Sequence, residues 1–75
     1  LLRIQHDALL PPSNLTNAEL EALGMVKNGL LMKEIADLLG VSEGAVKLRL
    51  KNAKFKLKAK TSTHAATMAT SFGLI

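Results

Sequence analysis

Apolar residues in this chain recur every three to four positions and nowhere alternate, so the pattern predicts helices and no strand. Leu20, Leu23 and Val26, with Met25 beside them, define a first helix. Ahead of it, Thr16-Asn17-Ala18-Glu19 is a capping box: the Thr16 hydroxyl accepts from the Glu19 amide, and the Glu19 carboxylate accepts from the Thr16 amide. Leu15 before the cap and Leu20 at the fourth helical position form a hydrophobic staple, and Asn28-Gly29 supplies a left-handed terminus. A second, short buried helix is predicted over Met32–Leu39, with Ile35, Ala36 and Leu39 inward; the small Ala36 lets the following helix cross closely. Gly40 turns the chain, Val41 plugs the space beneath the turn, and Ser42 caps a third helix. Glu43 then faces the positive end of that helix dipole. Val46, Leu50, Ala53 and Leu57, spaced i, i+4, i+7 and i+11, are its core stripe. Thr61-Ser62-Thr63 offers caps for a fourth helix with Ala65, Met68, Ala69 and Phe72 as its apolar face, ended by Gly73. That alanine-rich face permits close approach either to the domain's own core or to a second copy.

Pro11-Pro12-Ser13-Asn14 breaks any helical turn formed by Leu1–Leu10, so 1–14 reads as an interdomain linker or the end of an upstream domain, and 15–75 as the domain proper. The chain starts at Leu1 rather than Met, and it is expected to be part of something longer. Its 75 residues make one small domain with little room for an enclosed active site. It has no cysteine, hence no disulfide framework or thiolate metal site, which suits a cytoplasmic setting. No apolar run approaches the roughly 18 residues needed to span a bilayer, so no membrane role is expected.

Charge changes the picture more than composition does. The formal net charge of +4 conceals −2 over residues 1–40 and +6 over residues 41–60, with none beyond. One position on from the core stripe of the third helix, Lys47, Lys51, Lys54 and Lys58 form a second stripe. Arg49 and Lys56 flank the core on the other side, while Leu48 and Phe55 point away from it. Most charge runs are simply solvated faces. Here, however, few carboxylates match the lysines, and like charges at i, i+4 repel by a few tenths of a kcal/mol each. Such a face is expected to meet a polyanion, double-stranded DNA above all. Toward the start of the helix, Lys47, Leu48 and Lys51 are the candidates for base edges: lysine donates to guanine O6 and N7, and leucine packs on a thymine methyl. Ser42, Lys54, Lys58 and Lys60 suit phosphates. Lys33, beside the free amides opening the second helix, either joins them or pairs with Asp37. One Phe without Trp or Tyr is too little for stacking single strands, so Phe55 is expected to pack on the fourth helix or on a partner.

No catalytic constellation, metal site or cofactor motif is present. His6 lies in the linker and His64 near a helix start, with no carboxylate or cysteine spaced to complete a triad or ligand set. Gly-rich phosphate loops are absent. An enzyme is not expected.

From Leu15 to Ile75 the chain resembles the LuxR/GerE family of helix-turn-helix DNA-binding domains. The resemblance is carried by Leu15-Thr16 and Glu19, by Gly29-Leu30 and Lys33-Glu34-Ile35-Ala36, and by Ser42-Glu43 with Val46-Lys47. Asn52, Lys56-Leu57, Ala65, Ala69 and Gly73-Leu74-Ile75 continue it. It implies an all-α four-helix bundle with a helix-turn-helix in helices 2 and 3. Helix 3 would read the major groove, and helix 4 would pair with its twin in a homodimer through Ala65, Met68, Ala69 and Phe72. Family base contacts match Lys47, Leu48 and Lys51; phosphate contacts map to Lys33, Asn52 and Lys60. It also implies an upstream signal-receiving domain, of the kind used in quorum sensing or in two-component signalling. The chain departs from the family pattern at four places. Ala45 stands for Thr and Arg49 for His. Leu31 replaces the polar cap of helix 2, and Lys58 replaces a Gly, which is expected to let helix 3 run on.

Glu34-Ile35-Ala36 through Arg49-Leu50 is also similar to region 4 of extracytoplasmic-function sigma factors, which binds a promoter element and RNA polymerase. Those sequences usually end soon after the basic helix, whereas this one continues through Ala65, Ala69 and Gly73-Leu74-Ile75. A third reading is a protein-interaction module, meeting RNA polymerase through Leu48, Phe55 and the lysines. On the dimeric reading, Ala69→Glu is expected to leave a folded monomer.

Overall fold

The computed structural model describes residues 14–75. Apart from Asn14, the segment read as a linker lies outside the described residues. Four helices follow one another: α1 (Asn17–Lys27), α2 (Met32–Leu39), α3 (Glu43–Leu57) and α4 (Ser62–Ser71). No strand occurs among the described residues, and the all-α helix-turn-helix architecture is as expected.

Each helix starts where a side chain can satisfy free backbone amides. At α1 the capping box forms both ways, with the Glu19 amide donating to Thr16 Oγ1 at 3.1 Å and the Thr16 amide to Glu19 Oε1 at 2.9 Å. Ser42 Oγ accepts from the Ala45 amide at 3.1 Å to open α3, and Thr61 Oγ1 from the His64 amide at 3.0 Å to open α4. Leu31, ahead of α2, has no acceptor. Only the reciprocal half of a box forms there, from the Leu31 amide to Glu34 Oε1 at 2.7 Å.

Each helix ends on the same left-handed closure, in which two successive amides return to the last turn. At α2, Gly40 donates to the Asp37 carbonyl and Val41 to the Ala36 carbonyl. Gly29, Gly40 and Gly73 take φ of 83°, 68° and 75°, values that a glycine adopts without a Cβ penalty. At α3 a lysine does the same. Lys58 has φ 56° and ψ 37°, its amide bonding the Phe55 carbonyl and that of Ala59 the Lys54 carbonyl. The expectation that Lys58 lets this helix run on is therefore corrected. The helix stops at Leu57, because the turn into α4 is imposed even on a side chain that resists it.

The core is small and thin. It comprises Ala22 and Leu23 of α1, Ile35 and Ala36 of α2, Val46, Leu50, Ala53 and Leu57 of α3, and Ala65, Ala66 and Ala69 of α4. Six of these eleven are alanine, so the helices pack at close range with little side-chain volume between them. α3 packs on each of the other three helices, and α1 also packs on α4. The stripe read for α3 is the buried one, at 3 % exposure or less throughout. α2 is less enclosed than the pattern suggested. Leu39 is half-buried, but Leu38 is 67 % exposed and Leu31 69 %, because α2 rests mainly on α3 through one side.

Candidate nucleic-acid interface

What positions the candidate side chains is the seating of α3. With four residues buried on one stripe, the rest of its surface is fixed by the turn of about 100° per residue. Leu48, Lys51 and Phe55 fall opposite the stripe. Lys47 and Lys54 lie along one flank of that outer line and Asn52 on the other, while Lys58 sits past the helix end, in the left-handed turn. The structure agrees, with Lys47, Leu48, Lys51, Asn52 and Lys58 exposed and Lys54 half-buried. Leu48 is 58 % and Phe55 84 % exposed, so Phe55 does not pack on α4; of its two expected settings, that one is corrected and a partner is the one left. An extended aliphatic and cationic ridge thus faces solvent on one side of a helix whose other side is fully committed to the core.

The remaining candidates are distributed around that ridge. Ser42 is exposed beside the start of α3; its oxygen accepts the Ala45 amide, which leaves the hydroxyl proton free to donate. Lys60 is exposed in the α3–α4 connection, where its backbone amide donates to His64 Nδ1 at 3.2 Å. His64 is exposed, and its Nδ1 accepts at that turn. Lys33 is exposed, and no Lys33–Asp37 ion pair within 4.0 Å occurs among the described residues. The α2 amide end is less open than read from sequence, because Glu34 brings a carboxylate to it.

On α4 the structure separates two roles that the sequence had merged. Ala65 and Ala69 are fully buried in this domain's own core, joined by Ala66. Met68 and Phe72 are half-buried against that core. The outward surface of α4 is instead Thr63, His64, Thr67, Thr70 and Ser71. Thr67 and Thr70 donate their hydroxyls to the carbonyls one turn back, Thr63 and Ala66. With Val26 and Lys27, the hydroxyl-bearing side chains of this face line a groove between the end of α1 and α4.

One contact had no signal in the local pattern. Lys56, read as a flank of the core, sends its ammonium to Glu19 Oε1 and Oε2 at 2.7 and 2.9 Å and to the Asn14 carbonyl at 2.8 Å. It is the ion pair within 4.0 Å among the described residues, with side chains 21 % and 6 % exposed. Burial alone would raise the Glu19 carboxyl, but the hydrogen bonds from Lys56 and the Thr16 amide, with the attraction of the ammonium, outweigh it. The carboxyl is held below its ordinary value.

Among the described residues no group of three His, Cys, Asp or Glu side chains converges as a metal ion would need. No helix there is long and apolar enough to cross a membrane.

Comparison with known proteins follows the same lines. A family model described as bacterial regulatory proteins of the luxR family matches residues 13–69. The Transcriptional activator protein CarR of Pectobacterium carotovorum subsp. carotovorum is 39 % identical over 69 residues, covering 85 % of this chain and 28 % of the relative. The chain thus spans a little over a quarter of the length of that relative.

Proposed function

Since this chain belongs to the luxR family of bacterial regulatory proteins and is a DNA-binding module of transcription regulation, we propose that it reads double-stranded DNA in sequence-specific fashion with α3 in the major groove. The observation that carries this reading is the outer line of α3. Lys47, Leu48 and Lys51 stand exposed along a helix anchored on its opposite face, where donors and a methyl-seeking side chain can reach base edges. Lys54 on one flank, Asn52 on the other and Lys58 just past the helix end would meet the two phosphate rails of the groove. Ser42, Lys33 and Lys60 extend the phosphate contacts beyond the helix. The near-absence of acidic groups on residues 41–60 supports the same partner.

The working form is a homodimer in the cytoplasm, its two α3 helices about 34–36 Å apart on a two-fold symmetric site. An upstream signal-receiving domain controls it. The name of the CarR relative, a transcriptional activator, supports a role in transcription; RNA polymerase is a further partner on this reading.

Binding to DNA at a series of salt concentrations tests the reading. Neutralisation of several phosphates gives a linear fall of log affinity with log salt, with a slope of about −0.9 per phosphate. Lys51→Ala is expected to weaken the selected site by ~1–3 kcal/mol and to relax preference at one base pair. Lys60→Ala is expected to weaken all sequences alike and to flatten the slope by about one. A shallow slope in the unaltered protein would favour a protein partner instead. Equal losses on selected and random DNA for both variants would remove the division between base and phosphate contacts.

A further inference from the structure

We infer that Lys56, alone among the lysines of α3, does not touch DNA and acts as a positioning residue, fixing the far end of the reading helix to the start of α1 and to the Asn14 carbonyl ahead of it. The inference rests on the proposed seating of α3 in the groove.

The chemistry begins with donor counting. A lysine ammonium has three N–H donors. Here all three acceptor distances are short: Glu19 Oε1 at 2.7 Å, Glu19 Oε2 at 2.9 Å and the Asn14 carbonyl at 2.8 Å. Both carboxylate oxygens lie on one side of the ammonium and the Asn14 carbonyl takes another N–H, so the group is directed at Glu19 and Asn14 rather than at solvent. The side chain is only 21 % exposed and turns toward α1, whereas Lys47, Lys51 and Lys58 are open to solvent.

The acceptors are themselves fixed. Glu19 Oε1 also takes the Thr16 amide in the α1 capping box, so the carboxylate cannot swing to follow a displaced lysine. The pair joins residues 37 positions apart, and the Asn14 contact joins residues 42 apart. These are the polar contacts by which the described structure ties α3 to another helix. Its other contacts with α1, α2 and α4 are between apolar side chains, which resist separation better than they resist sliding. A directional, charge-assisted clamp near the end of a 15-residue helix sets its roll and axial register. Those are the two variables that aim Lys47, Leu48 and Lys51.

Glu19→Gln tests this without touching the cationic face. Glutamine keeps an acceptor for the Thr16 amide, so the cap survives while the charge on Lys56 goes unanswered. Binding is measured by fluorescence anisotropy on a duplex selected from a random library with the unaltered protein, and on a random-sequence duplex. Both are read well below the melting temperature of each variant. Glu19→Gln and Lys56→Gln are each expected to lose about tenfold on the selected duplex, of the order of one misplaced base contact. Affinity for random DNA and the salt slope should stay within error. Unchanged affinity of Glu19→Gln on the selected duplex would reduce the pair to a stabilising contact. A slope flattened by about one in Lys56→Gln would make Lys56 a phosphate ligand, and either result overturns the inference. Lys51→Gln runs alongside, and if it too changes nothing, the fault lies in the seating of α3 rather than in the role of Lys56.

A second measurement needs no variant. In the unaltered protein, Lys56 is expected to react slowly with an acetylating reagent both with and without DNA, whereas Lys47 and Lys51 react fast and become protected by DNA. Fast reaction of Lys56 that DNA suppresses would overturn the inference as well.

Discussion

Lys58 holds a conformation that its side chain resists. A non-glycine residue in the left-handed region costs roughly 1–2 kcal/mol, while glycine loses roughly 0.5–1 kcal/mol more backbone entropy on folding. Lys58→Gly is therefore expected to raise stability by about 0.5–1 kcal/mol in thermal or urea unfolding. The same change should weaken binding to any DNA sequence, since a flanking cation is lost. A fall in stability would mean that the lysine stem contributes packing that outweighs the strain. The residue keeps charge where a glycine would keep the turn relaxed.

The elements depend on how closely they cross. α2 meets the rest of the domain mainly through α3, with Ile35 and Ala36 as its buried residues and Gly40 turning the chain between the two helices. Ala36→Leu adds a branched side chain to a site that is 4 % exposed, and is expected to destabilise by about 1–3 kcal/mol and to lower DNA affinity as the helices part. Leu38→Lys, on the outward side of the same helix at 67 % exposure, should stay within about 0.5 kcal/mol of the unaltered protein. Equal effects in chemical denaturation would contradict this division of the two faces.

At the scale of the whole molecule, the proposed homodimer needs a surface on which two copies could meet. Ala69 has no exposed surface. Ala69→Glu would drive a carboxylate into the core, and the expected outcome is loss of folding rather than a folded monomer. If α4 pairs with its twin, its outward threonines form the contact. Thr67→Glu should then keep the helical circular dichroism of the unaltered domain while sedimenting as a monomer at concentrations where that domain associates. Affinity for a two-fold site would fall with it. Association undiminished by Thr67→Glu would place the dimer contact elsewhere.

Much of this protein is decided within a few residues of chain. The Thr16–Glu19 box, the Ser42 and Thr61 caps, the glycine terminators and the α3 stripe all follow from interactions reaching three or four positions, so they can be read from the sequence itself. So can the cationic face of α3, because a single apolar stripe fixes every other direction on a helix. The turn at Lys58 could not be read this way, since its local preference points against what the α3–α4 connection imposes. Nor could the inward face of α4, where alanine suits a domain core and a partner surface equally well. Only packing showed that Ala65 and Ala69 are spent inside the domain and that Leu31, Leu38 and Phe55 are left outside. The Lys56–Glu19 pair lay furthest from view: a lysine among seven basic residues has no mark of its own until folding brings a carboxylate to it from 37 residues away.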